Sequence, residues 1–231
     1  MQIKILHLIE GAKKAEGLTV IIDVFRAFSV ECYLYKMGVK EIRPVGSIED
    51  AFRLGEKIEG SVLVGERRGV KCEGFRFGNS PSTIVSDEVF GRTVIHSTSA
   101  GTQGIVNATG ASEIVTGSLV NARAVAKYIR SKKPEVVSLV CMGNNGTREA
   151  KEDELCAEYI RSLLEGEPII DIDERVRALR FDGGEHFFDS SRQDVFPTED
   201  FWMCTKYDLF PFVLRVERDE LGFVSRKVEL G

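Results

Sequence analysis

Short apolar runs rich in β-branched residues alternate with amphipathic stretches through most of the chain, and this alternation restricts the fold more than any other feature. Residues 18–23 (LTVIID) are typical of a buried strand, and residues 28–38 are typical of a helix that ends at a glycine. Strands and helices that alternate in this way form βαβ units on a mostly parallel sheet. Because the strands lack polar alternation, we expect helices on both faces of the sheet. The sequence therefore predicts an α/β protein with a three-layer α/β/α core.

The same alternation continues to about residue 165, and the pattern then changes. We predict further strands at residues 39–44, 62–65, 93–96, 113–116 and 136–141, and further helices at residues 47–59, 103–109, 121–131 and 149–164. Residues 181–193 are rich in Gly, Asp and aromatic residues, as in a loop, and residues 212–217 and 223–229 have the pattern of a hairpin. We therefore predict an α/β core at residues 1–165, which carries the candidate catalytic residues, and a smaller C-terminal α+β subdomain at residues 166–231 that packs on it.

Composition excludes several classes of protein. The 231 residues include 31 basic and 36 acidic side chains, for a net charge of −5, without a basic cluster of the kind that nucleic acid requires. No apolar run approaches the roughly 20 residues that cross a bilayer, and residues 1–10 lack the features of a secretion signal. The five cysteines form no C-x-x-C pair, which argues against a disulfide framework or a structural zinc site. We expect a cytoplasmic protein with no nucleic-acid or membrane partner, and a homo-oligomer is compatible with the sequence.

Charged residues directly after predicted strands are the first site candidates, because ligands of open parallel sheets bind beyond the carboxyl ends of the strands. Asp23 ends the strand LTVIID, and Arg26 follows in the next turn. Glu66, Arg67 and Arg68 follow the strand SVLVG. A carboxylate at a strand end suits a hard cation, and an arginine can bind a phosphate through two N–H groups. A capped helix start and a solvated charged loop are the structural alternatives.

Two polar segments add candidate substrate-binding residues. Asn79 and Ser80 lie in a tight turn, GFRFGNSPS, where their side chains either bind a ligand or satisfy the turn itself. The loop STSAGTQG at residues 97–104 precedes a predicted helix and lacks the spacing of a P-loop. We expect the backbone N–H groups of this loop to bind an oxyanion. The candidates in the loop are Ser99, Gly101 and Thr102.

Three consecutive acidic residues, Glu152, Asp153 and Glu154, lie near the start of the helix predicted after the strand at residues 136–141. Successive helical residues point about 100° apart, so at most two of the three face one site. We expect one of the three to join a metal shell, and a wholly solvated acidic face is the structural alternative. The remaining charge complements the helix dipole or is solvated.

Other catalytic patterns are incomplete. Residues 169–175 (IIDIDER) imitate the D-x-D-x-[TV] signature of aspartate-nucleophile phosphatases through Asp171 and Asp173, but Arg175 occupies the fifth position. Cys141 follows a strand but lacks the C-x5-R pattern of cysteine phosphatases. The three histidines are isolated, and no Ser-His-Asp order can be assigned.

Five segments, in order along the chain, together resemble the 2-phosphosulfolactate phosphatase (ComB) family. They are VIIDVFRAFS, VLVGERRGVKCEGFRFGNSPS, STSAGTQGI, TGSLVNARAVA and LVCMGNNGTREAKEDELCAEYI, and they extend over about residues 20–160. The resemblance implies a magnesium-dependent phosphatase with an α/β fold that converts 2-phospho-3-sulfolactate to 3-sulfolactate and phosphate, a step of coenzyme M biosynthesis. One departure is Ala100, where the family commonly carries Asn. The lost amide leaves a family member with a different substrate as an alternative.

From the residues and the resemblance together, we expect Mg²⁺ to be held by four acidic side chains, of which one or two usually bind directly. The candidate ligands are Asp23, Glu66, Glu152 and Asp153. Arg26 and Arg67 are expected to pair with the phosphate, carboxylate or sulfonate of a small phosphorylated acid. Metal-activated water is the expected nucleophile, and Asp23 is the covalent alternative. A non-catalytic sensor or carrier of phosphorylated anions would need the arginines but no metal.

Overall fold

The computed structural model describes residues 1–230, which contain a ten-stranded sheet with helices on both faces. The strands are β1 (Gln2–His7), β2 (Gly17–Ile22), β3 (Glu41–Pro44), β4 (Val62–Arg67), β5 (Val70–Lys71), β6 (Thr93–Ser97), β7 (Ala111–Gly117), β8 (Val136–Cys141), β9 (Phe212–Asp219) and β10 (Gly222–Glu229). The helices are α1 (Leu8–Lys13), α2 (Ala27–Lys36), α3 (Ile48–Lys57), α4 (Ser86–Val89), α5 (Gly101–Asn107), α6 (Ala122–Lys132), α7 (Lys151–Glu165), α8 (Ile172–Ala178) and α9 (Thr198–Thr205). None of these helices within residues 1–230 has the length and apolar character needed to cross a membrane.

The sheet consists of two parallel blocks joined by an antiparallel hairpin. The first block has the order β1-β8-β2-β7, and the second has the order β3-β6-β4. The hairpin β9-β10 lies between them, with β9 antiparallel to β7 and β10 antiparallel to β3. In the described residues, five of the nine strand pairings are parallel. The predicted mostly parallel sheet is confirmed.

The C-terminal segment supplies the middle of this sheet. The predicted hairpin is present, and its two strands pair from Phe212 with Glu229 to Asp219 with Gly222. The predicted division of the chain at residue 165 therefore runs through a shared sheet. The assignment of residues 166–231 to a separate subdomain stays a prediction.

Both faces of the first block are covered, because successive side chains of a strand point to opposite faces. In β2, Val20 and Ile22 are fully buried against α6 and α7, whereas Ile21 is fully buried against α1 and α5. Each such side chain contributes roughly 1.5–3 kcal/mol through burial. The predicted three-layer α/β/α arrangement is confirmed.

Local sequence signals position several element ends. Ser47 caps α3, as its spacing predicted, since its Oγ accepts a hydrogen bond from the backbone N–H of Asp50 at 3.0 Å. Gly166, with φ of +82°, ends α7. β4 continues two residues beyond the predicted end because Glu66 and Arg67 pair with β5. This extension carries Glu66 into the site described next.

Candidate active site

A cleft of about 570 Å³ opens beyond the carboxyl ends of β2 and β8, where the loops after β4 and β6 also converge. All four predicted metal ligands line it. They are almost inaccessible to solvent, with Asp23 and Glu66 6% exposed, Glu152 7% and Asp153 2%. Acidic groups that are buried close together disfavour one another's ionised forms. The hydrogen bonds of each carboxylate therefore determine whether it has an oxygen left to bind a ligand.

Asp23 directly follows β2 and starts the turn into α2. Its Oδ1 accepts a hydrogen bond from the backbone N–H of Ala27 at 3.2 Å. Gly101 approaches so closely that a Cβ there would lie 2.9 Å from Asp23 Oδ2. Burial and, to a smaller degree, the charge of Glu66 raise the pKa of Asp23 to about 6. Asp23 is therefore a tightly enclosed carboxylate that is mainly ionised at neutral pH.

Asp153 joins the two loops that form the floor of the cleft. Its Oδ1 accepts a hydrogen bond from the backbone N–H of Val24 at 2.8 Å, and its Oδ2 accepts one from the backbone N–H of Gly143 at 2.8 Å. Burial and then the charges of Asp23 and Glu152 raise the pKa of Asp153 well above its usual range. Asp153 thus holds the loops after β2 and β8 together.

Glu152 has a different environment, although it is the next residue in the chain. Among residues 1–230, its Oε2 has no hydrogen-bond partner. Burial raises the pKa of Glu152 to about 8, and the charges of Asp23 and Glu185 add to the rise. An unpartnered buried polar group costs roughly 1–3 kcal/mol, and more when it is charged. Glu152 therefore offers a free oxygen to a ligand in the cleft.

Glu66 links the turn after β4 to the loop after β6. Its Oε1 accepts a hydrogen bond from the backbone N–H of Ser99 at 2.6 Å, and its Oε2 accepts from the backbone N–H of Gly69 at 2.6 Å. The hydroxyl of Ser99 also donates to Oε2 at 3.1 Å. Both oxygens are therefore occupied by protein donors, which makes Glu66 a connector of two loops.

The acidic cluster fits a hard divalent cation. Carboxylate oxygens are the ligands that Mg²⁺ prefers, and the unpartnered Oε2 of Glu152 is an oxygen ready to bind one. Within residues 1–230, no three of these carboxylates bring ligand oxygens within 4.8 Å of one another. An ion here would consequently take one or two carboxylates directly and keep waters, as Mg²⁺ commonly does.

The two predicted arginines are placed differently from each other. Arg26 lines the cleft, but its Nη1 donates to Asp200 Oδ2 at 2.8 Å and to the backbone carbonyl of Val195 at 2.9 Å. Arg67 is not among the residues that line the cleft, because its guanidinium donates to the Ser97 Oγ at 2.8 Å and to the Glu66 carbonyl at 2.7 Å. Arg26 therefore lies at the site already paired, whereas Arg67 lies outside the lining of the cleft, and its pairing with a phosphate stays a prediction.

Four other cations surround the mouth of the cleft. They are exposed, and within the described chain none of them has a carboxylate within 4.0 Å. We call them the rim cations: Arg68, Arg148, Lys151 and Arg192. Arg68 follows β4 directly and was a candidate beside Arg67, whereas the other three come from loops that only the fold brings together.

The predicted oxyanion loop uses its N–H groups on the protein itself. The backbone N–H of Ser99 donates to Glu66, and Gly101 packs closely against Asp23. Thr102 is fully buried, and its backbone N–H donates to Thr98 Oγ1 at 3.2 Å. Of these loop residues, Ser99 lines the cleft, whereas Gly101 and Thr102 lie behind it. Donors of the predicted phosphate cradle instead position the Glu66 carboxylate.

The residues of the turn at positions 79–82 differ in whether they line the cleft. Asn79 lines the cleft, as predicted, whereas Ser80 does not and has its Oγ 3.4 Å from Ser82 Oγ. Ser82 donates through its backbone N–H and its hydroxyl to Asp200 Oδ1, at 3.0 and 2.6 Å. Ser80 thus belongs to the packing of this turn.

A buried chain of polar groups, which sequence reasoning missed, stands behind Asn79. His96 Nε2 lies 3.2 Å from Asn79 Oδ1, and His96 Nδ1 lies 3.0 Å from Glu31 Oε1. Glu31 and His96 are both fully buried, and Ser225 Oγ is 3.1 Å from Glu31 Oε2. This chain holds the oxygen of the Asn79 amide toward His96. Its members come from α2, β6, β10 and a turn, so no local pattern identifies them.

The alternative nucleophiles lie outside the cleft. Asp171 and Asp173 are exposed at the start of α8, and Tyr207 donates to Asp173 Oδ1 at 3.0 Å. Cys141 is buried and is not among the lining residues. His186 does line the cleft, but burial and then the neighbouring arginines lower its pKa to about 4, so it is neutral at pH 7.

Comparison with known proteins identifies the family of the chain. The model of a protein family described as 2-phosphosulpholactate phosphatase matches residues 3–219. A probable 2-phosphosulfolactate phosphatase of Bacillus subtilis is 31% identical over 215 residues, which cover 91% of this chain and 92% of the relative. A protein of the same description from Carboxydothermus hydrogenoformans is 38% identical over 176 residues, 76% of this chain and 72% of the relative. The resemblance predicted from the five segments is confirmed, and the chain belongs to the 2-phosphosulfolactate phosphatase family.

Proposed function

We propose that this protein is a magnesium-dependent phosphoric monoester hydrolase that acts on a small phosphorylated hydroxy-acid, with 2-phospho-3-sulfolactate as the first candidate. The observation that carries the proposal is the unpartnered Oε2 of buried Glu152, in a cleft shared with Asp23 and edged by the rim cations. A buried anionic floor needs a cation to accept a phosphate ester, since bare carboxylates repel it.

Asp23 and Glu152 would hold the ion, while Asp153 and Glu66 keep the loops in place through their backbone N–H contacts. When bound, Mg²⁺ supplies charge neutralisation for the phosphoryl oxygens and lowers the pKa of a water molecule. Because the carboxylates come from separate loops, the donors that fix those loops also fix the distance between the two ligands.

The rim cations and Asn79 would orient the ester. Arg68 and Arg148 lie on opposite loops of the cleft and are free to pair with anionic groups of the substrate. The Asn79 amide oxygen contacts His96, which leaves its NH₂ group to donate to the substrate. In the hydrolysis, a water oxygen bonds to phosphorus, the ester P–O bond breaks, and the leaving alkoxide takes a proton.

The charges of the cleft support a substrate with several anionic groups. 2-Phospho-3-sulfolactate carries a phosphate, a carboxylate and a sulfonate, and the rim offers four exposed cations to pair with them. A cleft of about 570 Å³ lies within the range of small-molecule sites. The names of the relatives favour the same substrate. Ala100 also lines the cleft, and its small side chain leaves room for a different phosphorylated acid.

The test is phosphate release by the purified protein across phosphorylated hydroxy-acids, including 2-phosphosulfolactate, with Mg²⁺ and after EDTA. We expect activity that EDTA abolishes and Mg²⁺ restores. Asp23→Asn should lower kcat/KM by roughly 10³-fold, equivalent to about 4 kcal/mol. Asp182→Asn is the matched control, because Asp182 lines the same cleft but is exposed.

Three outcomes would contradict parts of the proposal. Undiminished phosphate release in EDTA would remove the metal from the mechanism. A phosphoenzyme trapped in the wild type and absent in Asp23→Asn would make Asp23 the nucleophile in place of water. Tight binding of a phosphoester without turnover would indicate a non-catalytic carrier of phosphorylated anions.

A further inference from the structure

The geometry points to a second metal site, separate from the acidic cleft, formed by His7, Cys141 and Glu154 and suited to a divalent transition ion such as Zn²⁺. Each residue offers one ligand atom, and the three atoms all lie within 4.8 Å of one another. Within residues 1–230, this is the one group of three His, Cys, Asp or Glu side chains that meets this distance. The four carboxylates of the cleft do not meet it.

The pairing of two strands explains why these side chains converge. His7 ends β1 and Cys141 ends β8, and the two residues are direct partners in this parallel pair. Strand partners place their side chains on the same face of the sheet. Glu154, in the first turn of α7, reaches this face, and its Oε1 lies 2.9 Å from His7 Nδ1. The ligands are therefore held by two strands and a helix.

The helix separates this site from the cleft. Asp153 directs its carboxylate to Val24 and Gly143 at the cleft, whereas the next residue, Glu154, contacts His7. Adjacent helical residues point about 100° apart, which accounts for the two directions. The first turn of α7 thus presents carboxylates to two different sites.

The kind of ligand selects the kind of ion. A sulfur, an imidazole nitrogen and a carboxylate oxygen form a set that favours Zn²⁺ or Co²⁺ over Mg²⁺. Three protein ligands with a fourth position open is a common zinc arrangement. Glu149 Oε1 lies 4.0 Å from His7 Nδ1, but Glu149 also lines the cleft, so water would fill the fourth position.

An ion can reach the site from solvent. The side chains of His7 and Glu154 are 37% and 29% exposed, while Cys141 lies buried beneath them. Cys141 Sγ now donates to the backbone carbonyl of Asp153 at 3.5 Å, and burial raises the pKa of this thiol. Binding would transfer the thiol proton to solvent, as divalent metals do when they coordinate cysteine. The bound ion would tie the ends of β1 and β8 to α7.

The test is titration of the EDTA-treated, dialysed full chain with Co²⁺, followed by Zn²⁺. We expect one Co²⁺ per chain that gives a thiolate-to-cobalt charge-transfer band, that Zn²⁺ displaces but millimolar Mg²⁺ does not, and that raises the melting temperature, whereas any Co²⁺ in the acidic cleft gives no such band. Cys141→Ser should abolish the band, and His7→Asn should weaken Co²⁺ binding at least 10-fold. Cys72→Ser is the control, because Cys72 is also a buried thiol but has no such neighbours.

The same titration separates this site from the catalytic proposal. Asp23→Asn should lose phosphatase activity but keep the cobalt band, because Asp23 belongs to the cleft alone. The absence of a thiolate band in the wild type would overturn the second site, as would unchanged Co²⁺ binding in His7→Asn. Since His7 is partly exposed, that variant remains informative if Cys141→Ser fails to fold.

Discussion

Glu152 and Asp200 are both buried carboxylates near the cleft, but their surroundings are opposite. Asp200 is fully buried, its Oδ2 accepts a hydrogen bond from Arg26, and its Oδ1 accepts two from Ser82. Glu152 has an oxygen without any partner in the described structure, and its charged neighbours, Asp23 and Glu185, carry the same sign. Burial alone therefore does not identify a functional acid. The feature that distinguishes Glu152 as a candidate ligand is a carboxylate oxygen without a hydrogen-bond partner.

The largest expected effect is the loss of stability when Asp200 is removed. Asp200→Ala leaves the guanidinium of Arg26 buried without its counter-charge, which typically costs about 3–5 kcal/mol. Urea unfolding should show this as a lower midpoint with an unchanged slope. Asp194→Ala, at an exposed position in the same segment, should change stability by less than about 0.5 kcal/mol. Equal effects of the two variants would contradict the structural role of Asp200.

The second effect is the pH dependence of stability in the metal-free protein. The pKa values of Asp23 and Glu152 are raised to about 6 and about 8, so the folded state binds more protons than the unfolded state between about pH 4 and pH 8. Stability should therefore fall as the pH rises through this window and level off above it. The rise at Asp23 alone, from 3.8, corresponds to about 3 kcal/mol.

Thermal unfolding from pH 4 to pH 9 in EDTA measures this dependence. Excess Mg²⁺ should reduce the fall, because an ion offsets the repulsion between the carboxylates. Asp23→Asn should flatten the profile, whereas Asp182→Asn should leave it unchanged. A profile that rises with pH over the same range would show that the cleft acids are stabilised by cations in the free protein.

The third effect is on the affinity for Mg²⁺. Glu152→Gln keeps the shape of the side chain but removes the charge, and we expect the dissociation constant for Mg²⁺ to rise roughly 100-fold, equivalent to about 2.7 kcal/mol. The metal-free variant should be no less stable than the wild type, because the repulsion with Asp23 is lost. Calorimetric titration with Mg²⁺ measures the affinity. A variant that binds Mg²⁺ normally would exclude Glu152 from the ligands.

The smallest effect is expected at Glu66. In Glu66→Gln, one oxygen becomes an NH₂ group, so the backbone N–H of either Ser99 or Gly69 loses its acceptor, at a cost of about 1–2 kcal/mol. Because this contact positions the loops that line the cleft, KM should rise more than kcat falls. The control is Glu88→Gln, a half-buried partner of the exposed Arg76, which should leave both parameters unchanged. A loss of kcat as large as that of Asp23→Asn would show that Glu66 binds the ion.

The part of the site that depends on strand ends could be predicted from the sequence. Asp23 and Glu66 were identified because a charged residue after a buried apolar run is a local pattern, and Glu152 and Asp153 because a helix follows such a strand. The position of the β9-β10 hairpin could not be predicted, since the order of strands depends on contacts between residues far apart in the chain. The ion pair between Arg26 and Asp200, which are 174 residues apart in the chain, could not be predicted for the same reason.

Hydrogen-bond partners of the loops also could not be read from composition. The segment STSAGTQG has the small residues of a phosphate-binding loop, but its N–H groups donate to Glu66 and, within the loop, to Thr98 and Thr102. A loop that binds an acidic side chain and a loop that binds a phosphate have the same donors. Only the folded structure shows which anion accepts the hydrogen bonds of the loop.

The hairpin between the two parallel blocks has a consequence for how the chain is made. β9 and β10 are synthesised after every other strand of the sheet. The edge of β7 is paired only when β9 has left the ribosome, and the edge of β3 only when β10 has left it. Until then, each block presents an unpaired edge, the kind of surface on which nascent chains aggregate. The two halves of the cleft acquire their final spacing only after β9 and β10 have been made, so a chain stopped before residue 212 would hold all of the predicted catalytic residues and still lack the strands that join them.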